Sequence, residues 1–288
     1  MAKSKNGGSR AYIRGRIGSD VYSIGKNGKG ERQQVVRSLA ESVANPRTQN
    51  QMFGRMVMST VMQAVAGLSA IIDHSFDGIA KGQPSISEFI RTNYALVKAD
   101  AEDNPQSGNT FGLQKYQEKG IRAGRYVVSK GSQALPVAVT STIEGLSIAL
   151  AQANQTVGGL KAALGLSADG YITYVGITSD KKALYCRVKL DTTLADTTAI
   201  TADNVASLFT MEGNVSMTPT LGTNAIVFEL AGGIATEAYG VIVSELVDGA
   251  WKHNSCTLSA TAGINYSASV ALPTYPTGAE QFLNGGDL

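Results

Sequence analysis

"SVANPRTQNQMFGRMVMSTVMQA", residues 42–64, is where the chain changes character. Asn45 stands before Pro46, whose ring pushes it out of the helical region, so the extended stretch before it ends there. Thr48 follows with Gln51 three residues on, the spacing at which a hydroxyl and an amide cap a first helical turn. Met52, Met56 and Ser59 or Thr60 then recur at helical intervals beside Phe53, Val57, Val61, Val65 and Leu68. This gives one broad apolar face, interrupted by Asn50, Arg55 and Gln63. A helix from about Gln49 to about Ile71 is expected. Its methionines, Met52, Met56, Met58 and Met62, fit a core stripe or an adaptable contact face, since thioether chains mould to irregular neighbours.

On the N-terminal side, "SDVYSIGKNGKGERQQVVRS" sets two short runs, Val21–Ile24 and Gln34–Val36, around Lys26-Asn27-Gly28-Lys29-Gly30. Asn-Gly supplies the positive φ values a tight turn needs, so a β-hairpin is expected. Its cations are Arg14, Arg16, Lys26, Lys29, Arg32 and Arg37, opposed only by Asp20 and Glu31. A two-stranded ribbon is marginal in water and needs a surface to lie on.

On the C-terminal side, Ser85 with Glu88 three later signals a second helix running to about Ala99. An acidic, turn-rich loop, "ADAEDNPQSGNT" (99–110), leads to a shorter helix over Phe111–Gly120. From "GRYVVSKGS" the period becomes that of strands, broken by a short helix in "TVGGLKAALGL" (156–166) with Thr156 as its cap. Strands are expected at Tyr171–Thr178, Ala183–Leu190, Ala225–Leu230, Tyr239–Val247 and Trp251–Ala260, the last two joined by an Asp248-Gly249 turn. The fold class is α+β: a basic β-hairpin arm (1–47), a helical subdomain (48–128), a connecting segment (129–165), an antiparallel, Ig-like β-sandwich (166–272) and a tail (273–288).

The formal charge of +2 hides a polarity. Residues 1–50 carry 10 Lys and Arg against 3 Asp and Glu, a net of +7; residues 190–288 carry one cation, Lys252, against 10 carboxylates, a net of −9. Either the two ends neutralise each other within one fold, or they mark a partner that reads charge, nucleic acid or another copy of the chain. Cys186 and Cys256 sit in apolar alternation and read as buried thiols. "MAKSKNGGSR" is followed by no apolar core, so no secretory signal is expected. The apolar run Val57–Ile72 is broken by Ser59, Thr60, Gln63, Gly67 and Ser69, so no membrane span is expected.

Catalytic patterns are absent from the sequence. G-x-S-x-G, H-E-x-x-H and the P-loop do not occur, and "GKNGKG" lacks the Lys-Ser/Thr ending of a phosphate loop. His253 and Cys256 make an H-x-x-C spacing without the further ligands that zinc needs. Neither an enzyme nor a cofactor nor a metal is expected.

The matched residues Asn6, Gly7, Gly15, Arg16, Gly18, Val36, Arg37, Asn45, Pro46, Arg47, Thr48, Gln51 and Arg55, running through "GRIGSDVYSIGKNGKGERQQVVRS" into "NPRTQNQMFGRM", carry a resemblance. The sequence resembles a family of uncharacterised structural proteins from Bacteroidota genomes and crAss-like phages, and "AYGVIVSELVDGAWKHNSCTL" is similar to that family's β-domain. The turn "GKNGKGER" is longer than in the family, and Gln49 stands where other members often carry an acid. The resemblance implies a virion structural protein.

The resulting expectation is a non-enzymatic phage subunit, assembled in the host cytoplasm and resident in the virion. It forms a homo-oligomeric ring or shell, such as a portal or head–tail ring or a capsid-associated layer, against capsid, portal or tail proteins and no membrane. Arg14, Arg16, Lys26, Lys29, Arg32, Arg37, Arg47 and Arg55 are its partner-binding residues, Arg47 and Arg55 pairing with carboxylates across the junction. Two readings stay open beside it. One is a packaged or ejected protein whose arm contacts nucleic acid, with Tyr12 and Tyr22 interleaved among the cations. The other is a surface β-sandwich that binds carbohydrate or host through Trp251, Tyr171, Tyr174 and Tyr239.

Overall fold

Alternating and helical periodicities both find their elements in the computed structural model, which describes residues 3–5, 12–26, 31–39, 49–103, 120–150 and 156–260. The chain is α+β, with antiparallel sheets and three α-helices among the described residues. The Asn27-Gly28 turn, Arg47, the Thr48 cap, all but the last residue of the helix expected at Phe111–Gly120, and the tail lie outside those residues. Two compact units divide the chain, one holding the N-terminal strands and the other residues 49–260.

In the first unit, β1 (Lys3–Lys5), β2 (Tyr12–Ile17), β3 (Asp20–Lys26) and β4 (Arg32–Ser38) form a meander in the order β1-β2-β3-β4. β3 and β4 pair from Asp20 opposite Ser38 to Lys26 opposite Arg32, so both runs read from the sequence lie in this pair. A second turn at Gly18, φ +61°, brings β2 alongside β3 with Ile17 opposite Asp20, which extends the sheet beyond two strands.

The second unit holds α1 (Gln49–Ile72), α2 (Gln83–Asp103), β5 (Val127–Ser129), β6 (Val139–Thr142), β7 (Gly145–Ala149), α3 (Val157–Leu164), β8 (Tyr171–Thr178), β9 (Ala183–Leu190), β10 (Phe209–Gly213), β11 (Met217–Leu221), β12 (Ala225–Leu230), β13 (Thr236–Val247), β14 (Ala250–His253), β15 (Cys256–Thr257) and β16 (Ser259–Ala260). The central sheet runs β10-β9-β8-β13-β14, with β16 also on β13; a second sheet runs β11-β12-β7-β6, and β15 pairs β5.

β8 sets the layering, because its two faces serve different cores. Ile172 and Tyr174 join Cys186, Val188, Val241 and Val243 in a core shared with Leu146, Ile148, Ile226 and Phe228 of the second sheet. Val175 and Ile177 face the other way, with Ala238 and Ile242, against Val57, Val61, Leu68 and Phe89 of α1 and α2. Period-2 alternation on one strand thus builds a helix layer and a sheet layer on opposite sides of it. The Tyr174 hydroxyl crosses the inter-sheet core, donating to Thr142 O at 2.9 Å and lying 3.0 Å from Thr236 Oγ1. Tyr174 is fully buried, so it presents no stacking face.

Several boundaries differ from the sequence reading. α2 begins at Gln83, after Gly82 at φ +80°, and continues to Asp103; Ser85 lies in its first turn, donating its hydroxyl to Ala80 O at 2.8 Å instead of capping it. Trp251–Ala260 is three short strands. Asn254 breaks the run: its side chain accepts from Val243 N at 2.8 Å and donates to Val241 O at 3.3 Å, turning the chain inward. Residues 129–165 contribute β6, β7 and α3. α3 keeps its expected cap, Thr156 Oγ1 accepting from Gly159 N at 3.2 Å, and ends on Gly165 at φ +60°.

Candidate functional site

Five of the eight cations expected to bind a partner fall on the small N-terminal sheet. Arg14 and Arg16 lie on β2, Lys26 ends β3, and Arg32 and Arg37 lie on β4; the four arginines are exposed. Directly opposed residues share a face. Arg16, Val21 and Arg37 therefore line up across three strands on one side, and Gly15, Tyr22 and Val36 across the same strands on the other. Arg16 Nε donates to Gly18 O at 2.8 Å, which fixes that guanidinium beside the turn. Lys29 and Arg47 lie outside the described residues, and Arg55 is half-buried on α1 in the other unit.

In the larger unit, the helix-side face of the central sheet outruns its cover. Thr173 and Tyr171 continue the face of Val175, and the register adds Arg187 and Lys189 from β9, Thr210 and Glu212 from β10, and Trp251 from β14. α1 ends at Ile72, where Ser75 Oγ donates to Ile71 O at 2.6 Å, and the loop after it turns back towards α2. Beyond that point Lys189, Thr210, Glu212 and Trp251 stand exposed. Tyr171 and Trp251 meet with ring centroids 5.3 Å apart and planes at 57°. The Arg187 guanidinium lies 5.7 Å over Tyr171 and 5.8 Å over Tyr185, and its Nη2 donates to Ala70 O at 3.4 Å, a cation–π position held by a helix-end carbonyl. Clefts of about 410 Å³ and about 310 Å³ open on either side of this group, the first bounded by the loop carrying His74 and Lys81.

The floor of the first cleft is stapled by Asp77. Its Oδ1 accepts from His253 N at 2.9 Å and its Oδ2 from Ser132 N at 3.1 Å, joining the loop after α1, the chain after β5, and β14. The His253 ring meets Ser244 Oγ through Nδ1 at 2.9 Å. This pairs a serine with an imidazole, but Ser244 is only 2% exposed and Asp77 bonds the backbone, not the ring, so the pair orders the β13–β14 contact. Burial, first of all, holds both His253 and His74 below the ordinary imidazole value. Among the described residues, no three His, Cys, Asp or Glu side chains gather in a way that would hold a metal ion. Cys186 and Cys256 are free and buried. By length and composition alone Phe53–Ile72 would cross a bilayer; half of it is buried, against the sheet and α2.

The sequence named Tyr171 and Trp251 as stacking residues but passed over Arg187. The signal was present: in "ALYCRVKL" the residues Tyr185, Arg187 and Lys189 alternate with buried Cys186 and Val188, so aromatic and cationic groups share the second face. No protein-family model matches the sequence, and no curated protein or solved structure matches it.

Proposed function

We propose that this chain is a non-enzymatic virion structural subunit that assembles into a ring or shell, its N-terminal sheet being the arm that docks on a neighbouring copy. One observation carries this reading: none of residues 14–25 and 31–39, which make up most of that sheet, is buried, and Ile17 and Val36 are 50% and 51% exposed. A sheet with apolar side chains and no core gains from being covered, at roughly 25 cal/mol per Å² of apolar surface. The arginines Arg16 and Arg37 on its other face match the net −9 of residues 190–288. Contact between different patches of successive copies is head-to-tail, and it closes into a ring when the rotation permits. In this reading the two sheets that share a core form an Ig-like sandwich carried on the assembly. The phage setting rests on the NPRT junction and the glycine-arginine pattern before it.

The test is light scattering on the full chain, wild type and Arg16→Glu/Arg37→Glu. The wild type is expected as a discrete oligomer that loosens with salt, and the double variant as a smaller species. A monomer at every concentration overturns the reading. An unchanged oligomer that has lost retention on DNA replaces it with the nucleic-acid one.

A further inference from the structure

The exposed end of the central sheet has a composition that the assembly reading does not use. Aromatic rings sit at its middle, and charged groups flank them on both sides. Three cations, Lys81, Arg187 and Lys189, and three carboxylates, Asp73, Asp169 and Glu212, line the two clefts, so their formal charges cancel. Lys189 lies 3.6 Å from Asp169, an exposed pair that keeps donors and acceptors side by side at the rim. The clefts, about 410 Å³ and about 310 Å³, have the size of sites that hold small ligands.

We infer that the Tyr171–Trp251 corner binds carbohydrate, an oligosaccharide lying across Trp251 with sugar rings in the clefts on either side. A pyranose presents polarised C–H groups on its faces and hydroxyls around its edge. The negative face of an aromatic ring attracts the former. Alternating ammonium, guanidinium and carboxylate groups satisfy the latter, since a hydroxyl both donates and accepts. Two features disfavour a nucleic acid at this place. The carboxylates of Asp73, Asp169 and Glu212 cancel the three cations, so a phosphodiester chain meets no net positive charge here. The 57° between the rings leaves no parallel slot in which a base would stack. The inference is independent of how the N-terminal sheet docks, because every residue it uses belongs to the other unit.

Trp251 is the chain's one tryptophan, so its emission reads the site directly. The full-length protein is titrated with cello-, malto-, xylo- and chito-oligosaccharides and with oligothymidylate, and a glycan array widens the search. A saturable emission shift with at least one neutral sugar is expected. Tyr171→Ala and Arg187→Ala weaken it about tenfold or more, as loss of a central contact does. Thr210→Tyr fills the second cleft from an exposed position without removing a packed group, and lowers affinity in the same way. Silence from the array and from every sugar up to about 10 mM, where even weak sites saturate, overturns the inference. So does sugar binding that Tyr171→Ala and Thr210→Tyr both leave unchanged, or a tighter response to oligothymidylate than to any sugar.

Discussion

Asn93 does the work of a strand from inside a helix. Its side chain is fully buried, donates to Val127 O at 3.0 Å and accepts from Val127 N at 2.7 Å, pairing both backbone groups of a residue on β5. A second donor bond to Phe89 O at 3.0 Å holds the amide in place on α2. Asn93→Ala strips two part-buried backbone groups of their partner at once, and each costs up to the roughly 1–3 kcal/mol of a fully buried orphan. The expected loss is roughly 2–4 kcal/mol, read as a lower urea midpoint. A loss below that of an ordinary surface substitution would show that water replaces the amide. Nothing in the sequence announces this pairing, because an asparagine mid-helix looks the same whether it meets solvent or a strand 34 residues away.

α1 divides its apolar residues by face. Leu68 and Val61 are fully buried beneath the sheet, and Met56 is 4% exposed, whereas Met58 and Met62 are 42% and 44% exposed. Leu68→Ala is therefore expected to cost about 2–5 kcal/mol, and Met58→Ala or Met62→Ala less than about 0.5 kcal/mol in thermal melts of the full chain. Elements whose period is strong were legible to the residue or nearly so: α1, β8, β9, β12 and the Asp248-Gly249 turn, whose φ values are +52° and +75°. β6, β10 and β11 were not, since "VTST", "FTMEG" and "MTPTL" carry too few apolar positions to reveal a period. The candidate cleft was half legible. Its rings stand in readable strands, but the loop of residues 73–82 that walls one side follows a helix stop set by Ser75, and no local pattern places it against β14.

At the scale of the whole molecule, acid acts on the joint between the helix layer and the sheet. Burial keeps His253 from protonating in the fold; Asp77 opposes this and His74 adds to it. The unfolded chain takes up its proton near pH 6.5 while the folded chain waits for lower pH, so stability falls as pH drops from about 6.5 through the lowered value and is unaffected above it. His253→Gln is expected to flatten that acid limb in urea titrations at stepped pH; an unaltered slope would assign the sensitivity to His74, whose imidazole burial also depresses. The two cysteines lie on opposite sides of the same sheet: Cys186 in the core between the sheets, Cys256 in the core under the helices. Burial raises each thiol to about 11, leaving almost no reactive thiolate in the native state. Each sulfur thus becomes available to a maleimide only when its own layer opens, and the two alkylation rates, separated by peptide mapping, time the breathing of one half of the body independently of the other.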